Sequence, residues 1–471
     1  MKKITTILTL SLLMLMGIAY GQTHLWGTCE FGGTTGQGII FKADNNGNNL
    51  TTVYEFDNTN GARQLGNMVL APNGKIYGVT DYGGCLDSCV IYEYDPVTNT
   101  NLDVFDFYCN YGHTEPADGM ILGTDGNLYG FTPQGGAGYG YIYRFNPNTH
   151  VLDTIYNFRT PTGAAPYGRP LEINNKLYGT TEYFGAHSGG VIFSFNLSTF
   201  TYSDLHDFDG TDGSYPYYGS LLLGNDGKLY GTTYNGGTNS RGVIFSYDTA
   251  TSIFSVVYDF DTAHGCYPYG SLMQATDGKL YGMAGNGGLN NDGVIYSFNL
   301  SDSVYTDLYD FDGPHGSNPK RELMQAGNGL LFGTTMNGGG YGDGVLFSYN
   351  ITTNTYTVLQ NFNVGINGYN PLCDIIELPD NLTTGIKSIT NIEEISVFPN
   401  PASTILNIHQ STPSPNQQLI ITDLLGNEVY TETLPSIVNC QLSIVNFKAG
   451  LYFYEVRGME GSTRGKFFVQ K

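Results

Sequence analysis

Tyrosines, aspartates and cysteines in predicted loops are the side chains with which this chain could do chemistry. Tyr167, Tyr218 and Tyr269 each stand directly before a glycine, at matching places in three similar segments, with Tyr215 and Tyr267 close by. A sugar packs its C–H face on an aromatic ring while nearby carboxylates and amides take its hydroxyls, so these five tyrosines are candidate ligand-binding residues. The run Asp207-Phe208-Asp209-Gly210-Thr211-Asp212-Gly213 spaces hard oxygen ligands at alternate positions, as calcium loops do. Asp212 falls where an EF-hand needs glycine, and calcium is the one cofactor the spacing suggests. Asp118, Glu322 and Asp374 precede predicted inner strands; two carboxylates about 5 to 9 Å apart could cleave a glycosidic bond. The histidines show no zinc-ligand spacing.

Cysteine chemistry is limited. There are seven cysteines and no Cys-x-x-Cys, which argues against a redox enzyme. Cys85 and Cys89 flank a short loop and form the candidate disulfide, with Cys109 competing. Cys29 and Cys373 fall on strands expected to be neighbours, one residue out of opposition.

What positions these residues is a repeat. A Leu-Tyr-Gly triplet, with variants, ends at Gly27, Gly78, Gly130, Gly179, Gly231, Gly282 and Gly333, so the period is 49 to 52 residues. Periods of this size mark stacked supersecondary units. One unit, Gly270 to Phe311, reads as four short strands with a type I′ turn expected at Asp277-Gly278, and Asn174-Asn175 as the poorest copy of that turn. The triplet glycine reads as a site of close backbone approach. Apolar character on both strand faces suits blades packed around an axis. The first unit lacks a first strand, and Asn370 to Ile376 supplies a spare one after the last unit. This exchange would close a ring, whereas a solenoid would carry caps. The expected fold is all-β: a seven-bladed propeller over residues 22–378. In such a ring, Tyr167, Tyr218 and Tyr269 would surround the mouth of the central channel, where a flat tyrosine platform without paired acids would favour binding over cleavage.

The unit resembles kelch blades, and more closely the GloVer tandem repeat of bacterial secreted proteins. The residues that carry the likeness are Leu229 to Thr233, Gly236-Gly237 and Gly242 to Phe245. That repeat brings no catalytic residues with it.

The remainder of the chain concerns export. Lys2-Lys3 followed by an apolar run to Ile18, then Ala19 and Gly21, reads as a signal peptide over residues 1–21. No other segment is long and apolar enough to span a membrane. A polar linker over 379–391 leads to a second module over 392–471, read as a small β-sandwich from short alternating strands. Its Pro399-Asn400-Pro401 start, Asp423 to Gly426 turn, Gly450-Leu451-Tyr452 strand and basic, apolar end resemble the C-terminal sorting domain of the type IX secretion system. That resemblance implies contact with the secretion machinery and release or display at the outer membrane. With 20 basic and 42 acidic residues the net charge is −22, which disfavours nucleic acid as a partner. The leading expectation is a secreted or surface-attached, non-catalytic binding module for a polysaccharide or another surface protein. A glycan-cleaving enzyme and a purely structural repeat protein are the alternatives.

Overall fold

The computed structural model describes residues 23–84, 89–107, 119–372, 374–379 and, discontinuously, 395–469. The chain divides into two compact units between Gly385 and Ile386.

The first unit is a seven-bladed propeller. Six blades are antiparallel sheets of four consecutive strands, from Ala62–Leu70 through Thr355–Asn361. The remaining sheet joins the two ends: Ile376–Pro379 pairs with Thr23–Cys29, followed by Ile39–Asp44 and Thr51–Glu55. We call this blade 1 and number the others in chain order. Among the described residues an apolar core lies between each pair of successive blades. The ring closes through the core that packs Phe332, Leu346 and Phe362 of blade 7 on Leu25 and Phe41 of blade 1.

The triplet glycine owes its place to a ring rather than to a backbone. Gly231 pairs across the sheet with Phe245, and a Cβ on it would stand 2.5 Å from the Phe245 ring. Gly27 meets Phe41, Gly78 meets Tyr92, Gly130 meets Tyr143, Gly282 meets Tyr296 and Gly333 meets Phe347 in the same way. Each third-strand aromatic thus lies flat across its neighbouring strand. A register shift falls beside each of these rings, as between Ile244 and Phe245, and adds twist to every blade.

The hairpin turn also differs from expectation. In blade 5 the Gly227 N–H donates to the Gly224 carbonyl, Gly227 has φ +83° and Asp226 stays out of the left-handed region. This is a three-residue loop ending in a glycine bulge. The Asp226 carboxylate also accepts from the Tyr230 hydroxyl at 2.8 Å, as Asp125 does from Tyr129 and Asp277 from Tyr281. The two-residue turn with both centres at positive φ occurs instead at Asn174-Asn175.

The second unit has one three-stranded sheet (Ile395–Phe398, Ile405–Gln410, Asn439–Ser443) and one four-stranded sheet (Pro415–Thr422, Glu428–Ser436, Gly450–Gly458, Gly461–Val469). Leu406 and Leu442 of the first share a core with Leu419, Ile421, Tyr452, Tyr454 and Val456 of the second. That is a β-sandwich.

Candidate functional site

Entry to five of the inner strands follows one local rule. Ala165, Tyr215, Tyr267, Asn318 and Asn370 all have φ between +49° and +57°, and each precedes a proline. This conformation is costly for a non-glycine residue and needs support. The support is a bridge between blades: the Tyr267 N–H donates to Arg241 O of the preceding blade, and its carbonyl accepts from Gly285 of its own blade. The proline then turns the chain into the channel.

Strand register aligns the residues that follow. Two of the resulting tiers matter. The lower tier comprises Asn67, Gly119, Arg169, Ser220, Ser271, Glu322 and Asp374, one per blade. Neighbours within it are stitched together. Arg169 N donates to Ser220 Oγ at 2.7 Å, Ser220 N to Ser271 Oγ at 2.9 Å, and Glu322 N to Asp374 Oδ1 at 3.3 Å. Arg169, on blade 4, stands opposite blades 7 and 1. Its guanidinium crosses the channel and meets Glu322 Oε2 at 2.5 Å and Asp374 Oδ2 at 3.1 Å. Gly119, Ser220 and Ser271 leave room for that side chain. Burial alone would lower the Arg169 pKa, but Glu322 and then Asp374 more than offset it and the net shift is upward. For Glu322, burial pushes the pKa up, Arg169 pulls it down and Asp374 pushes it up again; the direction is upward.

The upper tier lies two residues earlier: Leu65, Tyr167, Tyr218, Tyr269, Lys320 and Leu372, with the blade 3 position outside the described residues. All but Tyr167 line a pocket of about 190 Å³ that Tyr217 and Arg321 complete. Blade 5 differs from its neighbours by one extra residue. Four steps separate Pro216 from Ser220, against three from Pro268 to Ser271. The insertion is absorbed by a three-residue turn, Gly219 N to Tyr217 O at 2.6 Å, with Tyr218 at φ +48°. It is this turn that places Tyr217 beside Tyr218.

The tyrosines do not make a flat platform. Tyr167 and Tyr218 are inclined at 52°, Tyr217 and Tyr218 at 71°, and Tyr217 and Tyr269 at 63°, with centroids 4.2 to 5.9 Å apart. Edge-to-face packing is the arrangement ring quadrupoles favour. It locks the cluster and turns edges and hydroxyls, as well as faces, toward the pocket. Cations sit on two of the rings: Lys320 Nζ is 4.9 Å from the Tyr269 centroid and Arg321 Cζ 5.5 Å from that of Tyr218. Tyr215 and Tyr267 stand farther out. Tyr215 packs on Tyr183, and Tyr267 packs on Tyr234 under the Arg241 guanidinium.

Sequence reasoning missed Lys320 and Glu182 as members of this region. Glu182 follows the second strand of blade 4, is 8% exposed, and its Oε2 is buried without a hydrogen-bond partner. Burial lifts its carboxyl to about 7, against a smaller pull from Tyr183. A carboxyl that holds its proton more tightly when folded favours the fold while protonated. That contribution is complete below about pH 4.5 and is lost as pH rises through about 7. Glu182→Gln should therefore flatten the pH profile, gaining about 3 kcal/mol over wild type at pH 8 and little at pH 4. Denaturant midpoints at the two pH values check this, and equal gains at both would contradict it.

The aspartates of the candidate calcium loop are occupied elsewhere. Asp207 accepts from the Ala186 N–H, and Asp212 pairs with His206 Nε2 at 2.8 Å. Asp209 accepts from Thr211 Oγ1, Thr211 N and Asp212 N, and these bonds hold it at about 2. Asp209 is used within its own turn, Asp212 by His206 and Asp207 by the loop at Ala186, and among the described residues no three such side chains form a metal cluster. Cys85, Cys109, Cys373 and Asp118 lie outside the described residues; the Cys89 thiol donates to Asp81 O at 3.1 Å.

The repeat geometry agrees with what the chain is similar to. The Gloeobacter/Verrucomicrobia repeat matches residues 17–223 and 217–394. The chain belongs to this repeat family. The secretion system C-terminal sorting domain matches residues 396–470, which marks this repeat protein as secreted or displayed at the outer-membrane surface and implies contact with the secretion machinery. No curated protein matches it. Among solved structures, a protein from Bacteroides fragilis provisionally described as a 6-phosphogluconolactonase is 14% identical, with 76% of this chain and 98% of that one covered and a TM-score of 0.51. Its counterpart from Bacteroides uniformis is 13% identical, with 76% and 100% covered and a TM-score of 0.50. TolB from Acinetobacter baumannii is 16% identical, with 60% of this chain and 63% of that one covered and a TM-score of 0.39. At such identities the first two share the propeller fold and nothing finer. No helix among the described residues is long and apolar enough to cross a membrane.

Proposed function

We propose that this repeat-family propeller is a non-catalytic binding module that takes one residue of a polysaccharide into the mouth of its channel. The observation that carries the reading is the break in repeat symmetry at the mouth. Positions that recur in every blade serve the repeat; the inserted residue of blade 5 serves no blade, and it holds a tyrosine at φ +48° over the pocket. A volume of about 190 Å³ falls below the roughly 300–1,000 Å³ of whole-ligand sites, which suits a single residue or chain end. Tyrosine edges, faces and hydroxyls together match the mixed surface of a sugar.

The arrangement of acids supports binding rather than cleavage. A glycosidase needs one carboxyl protonated, its partner ionised, and space for substrate between them. Glu322 and Asp374 have the Arg169 guanidinium between them instead.

Retention on immobilised polysaccharides tests the reading. Tyr218→Ala and Tyr269→Ala should each weaken retention about tenfold, the loss typical of a central aromatic contact. Unchanged retention in both variants would remove the mouth as the site.

A further inference from the structure

The chemical class of the ligand follows from what else lines the pocket. Resting on the binding reading above, we propose that the saccharide residue is acidic, carrying a carboxylate or a sulfate ester that is held by Lys320 and Arg321.

Among the described residues the pocket wall combines three tyrosines and two leucines with two cations and no carboxylate. In a chain with 20 basic residues against 42 acidic ones, two adjacent cations at the channel mouth are a local reversal of charge. Both stand where the repeat puts other residues: Lys320 takes the tier position of Tyr218 and Tyr269, and Arg321 that of Gly168 and Gly270. Arg321 is 7% exposed, so its guanidinium is fixed in the wall rather than waving in solvent. Lys320 is half-buried; its ammonium packs on the Tyr269 ring and makes no ion pair within 4 Å among the described residues. Burial lowers the Lys320 pKa, with Glu30 opposing, so the site bears an electrostatic cost that a bound anion relieves. Glu30 acts on both cations from outside the pocket wall.

The whole chain is negative and repels a polyanion at long range, but screening confines that repulsion to about 8 Å at physiological salt, whereas Lys320 and Arg321 act at contact. An acidic peptide would offer the same charge. Peptides are commonly held by main-chain bonds to an open strand edge, and here the backbone groups around the mouth are already bonded between blades, as at Tyr215, Tyr267, Asn318 and Asn370. Recognition is left to side chains, and rings with cations suit an acidic sugar.

Affinity of the full chain is measured by calorimetry for polygalacturonate, a sulfated galactan, neutral dextran and polyglutamate. We expect binding to polygalacturonate, the sulfated galactan or both, the difference identifying the anionic group. Binding should fall at least tenfold in Lys320→Gln and recover in Lys320→Arg. Lys320 is half-buried at the rim, so the folded state of the variant is verified by its unchanged denaturation midpoint. Equal binding of dextran overturns the acidic class while leaving the saccharide reading standing. Binding of polyglutamate without either acidic polysaccharide overturns both in favour of a peptide. Silence with all four also overturns both.

Discussion

Replacing Arg169 with methionine should cost about 3–5 kcal/mol of propeller stability, the largest single effect expected outside the cores. The guanidinium is the shared partner of Glu322 and Asp374, which come from blades 7 and 1. Asp374 is 2% exposed, so its carboxylate cannot turn to water when the arginine goes, while Glu322, 22% exposed, is only partly relieved by solvent. Two unpaired acids would then stand side by side on the channel wall. Their folded pKa values would rise above the unfolded ones, so the fold would be favoured while they are protonated and weakened as pH increases. The loss should accordingly be larger at pH 8 than at pH 5. The triple variant Arg169→Met, Glu322→Gln, Asp374→Asn should recover much of it, since breaking a buried pair costs more than neutralising both sides. Denaturant titrations of the three proteins at the two pH values check this. A single variant that loses equally at both pH values would mean that packing, not charge, is what Arg169 supplies.

Gly231→Val should cost about 3 kcal/mol through a different cause. The added Cβ would lie 2.5 Å from the Phe245 ring, which is fully buried between blades 4 and 5 and cannot move aside. Overpacking of this kind commonly costs about 1–3 kcal/mol, and β-branching puts the side chain at the upper end. Shrinking the ring should compensate, so Phe245→Leu combined with Gly231→Val should lose less than the sum of the two single changes. Additive losses would show that the glycine is needed for its backbone and not for the ring above it.

These two sites differ in how visible they are in the sequence. Gly231 recurs every 49 to 52 residues with an aromatic 13 or 14 residues further on, so blade count, strand number and ring closure are all legible from spacing. The Arg169 bridge is not, because its partners lie 153 and 205 residues away and meet it only after the ring has closed. The tyrosine cluster falls between the two. Matching positions place Tyr218 and Tyr269 at the mouth, yet the tilt of their rings depends on mutual packing, which spacing does not encode. The calcium-like run is the opposite kind of case: its alternate aspartates are plain in the spacing, whereas the donors they meet in the fold, from Ala186 to His206, are not. The useful signal for the pocket was available as a count, the extra residue between Pro216 and Ser220, together with Lys320-Arg321 standing where other blades have tyrosine and glycine.

The most direct test of the central claim reads two quantities from one incubation of the full chain with acidic and neutral polysaccharides. Retention of the protein and release of new reducing ends are measured together. Retention without reducing ends, diminished by Tyr218→Ala, is the predicted result. Release of reducing ends that disappears in Glu322→Gln would contradict it, since that carboxylate is held here as the partner of Arg169.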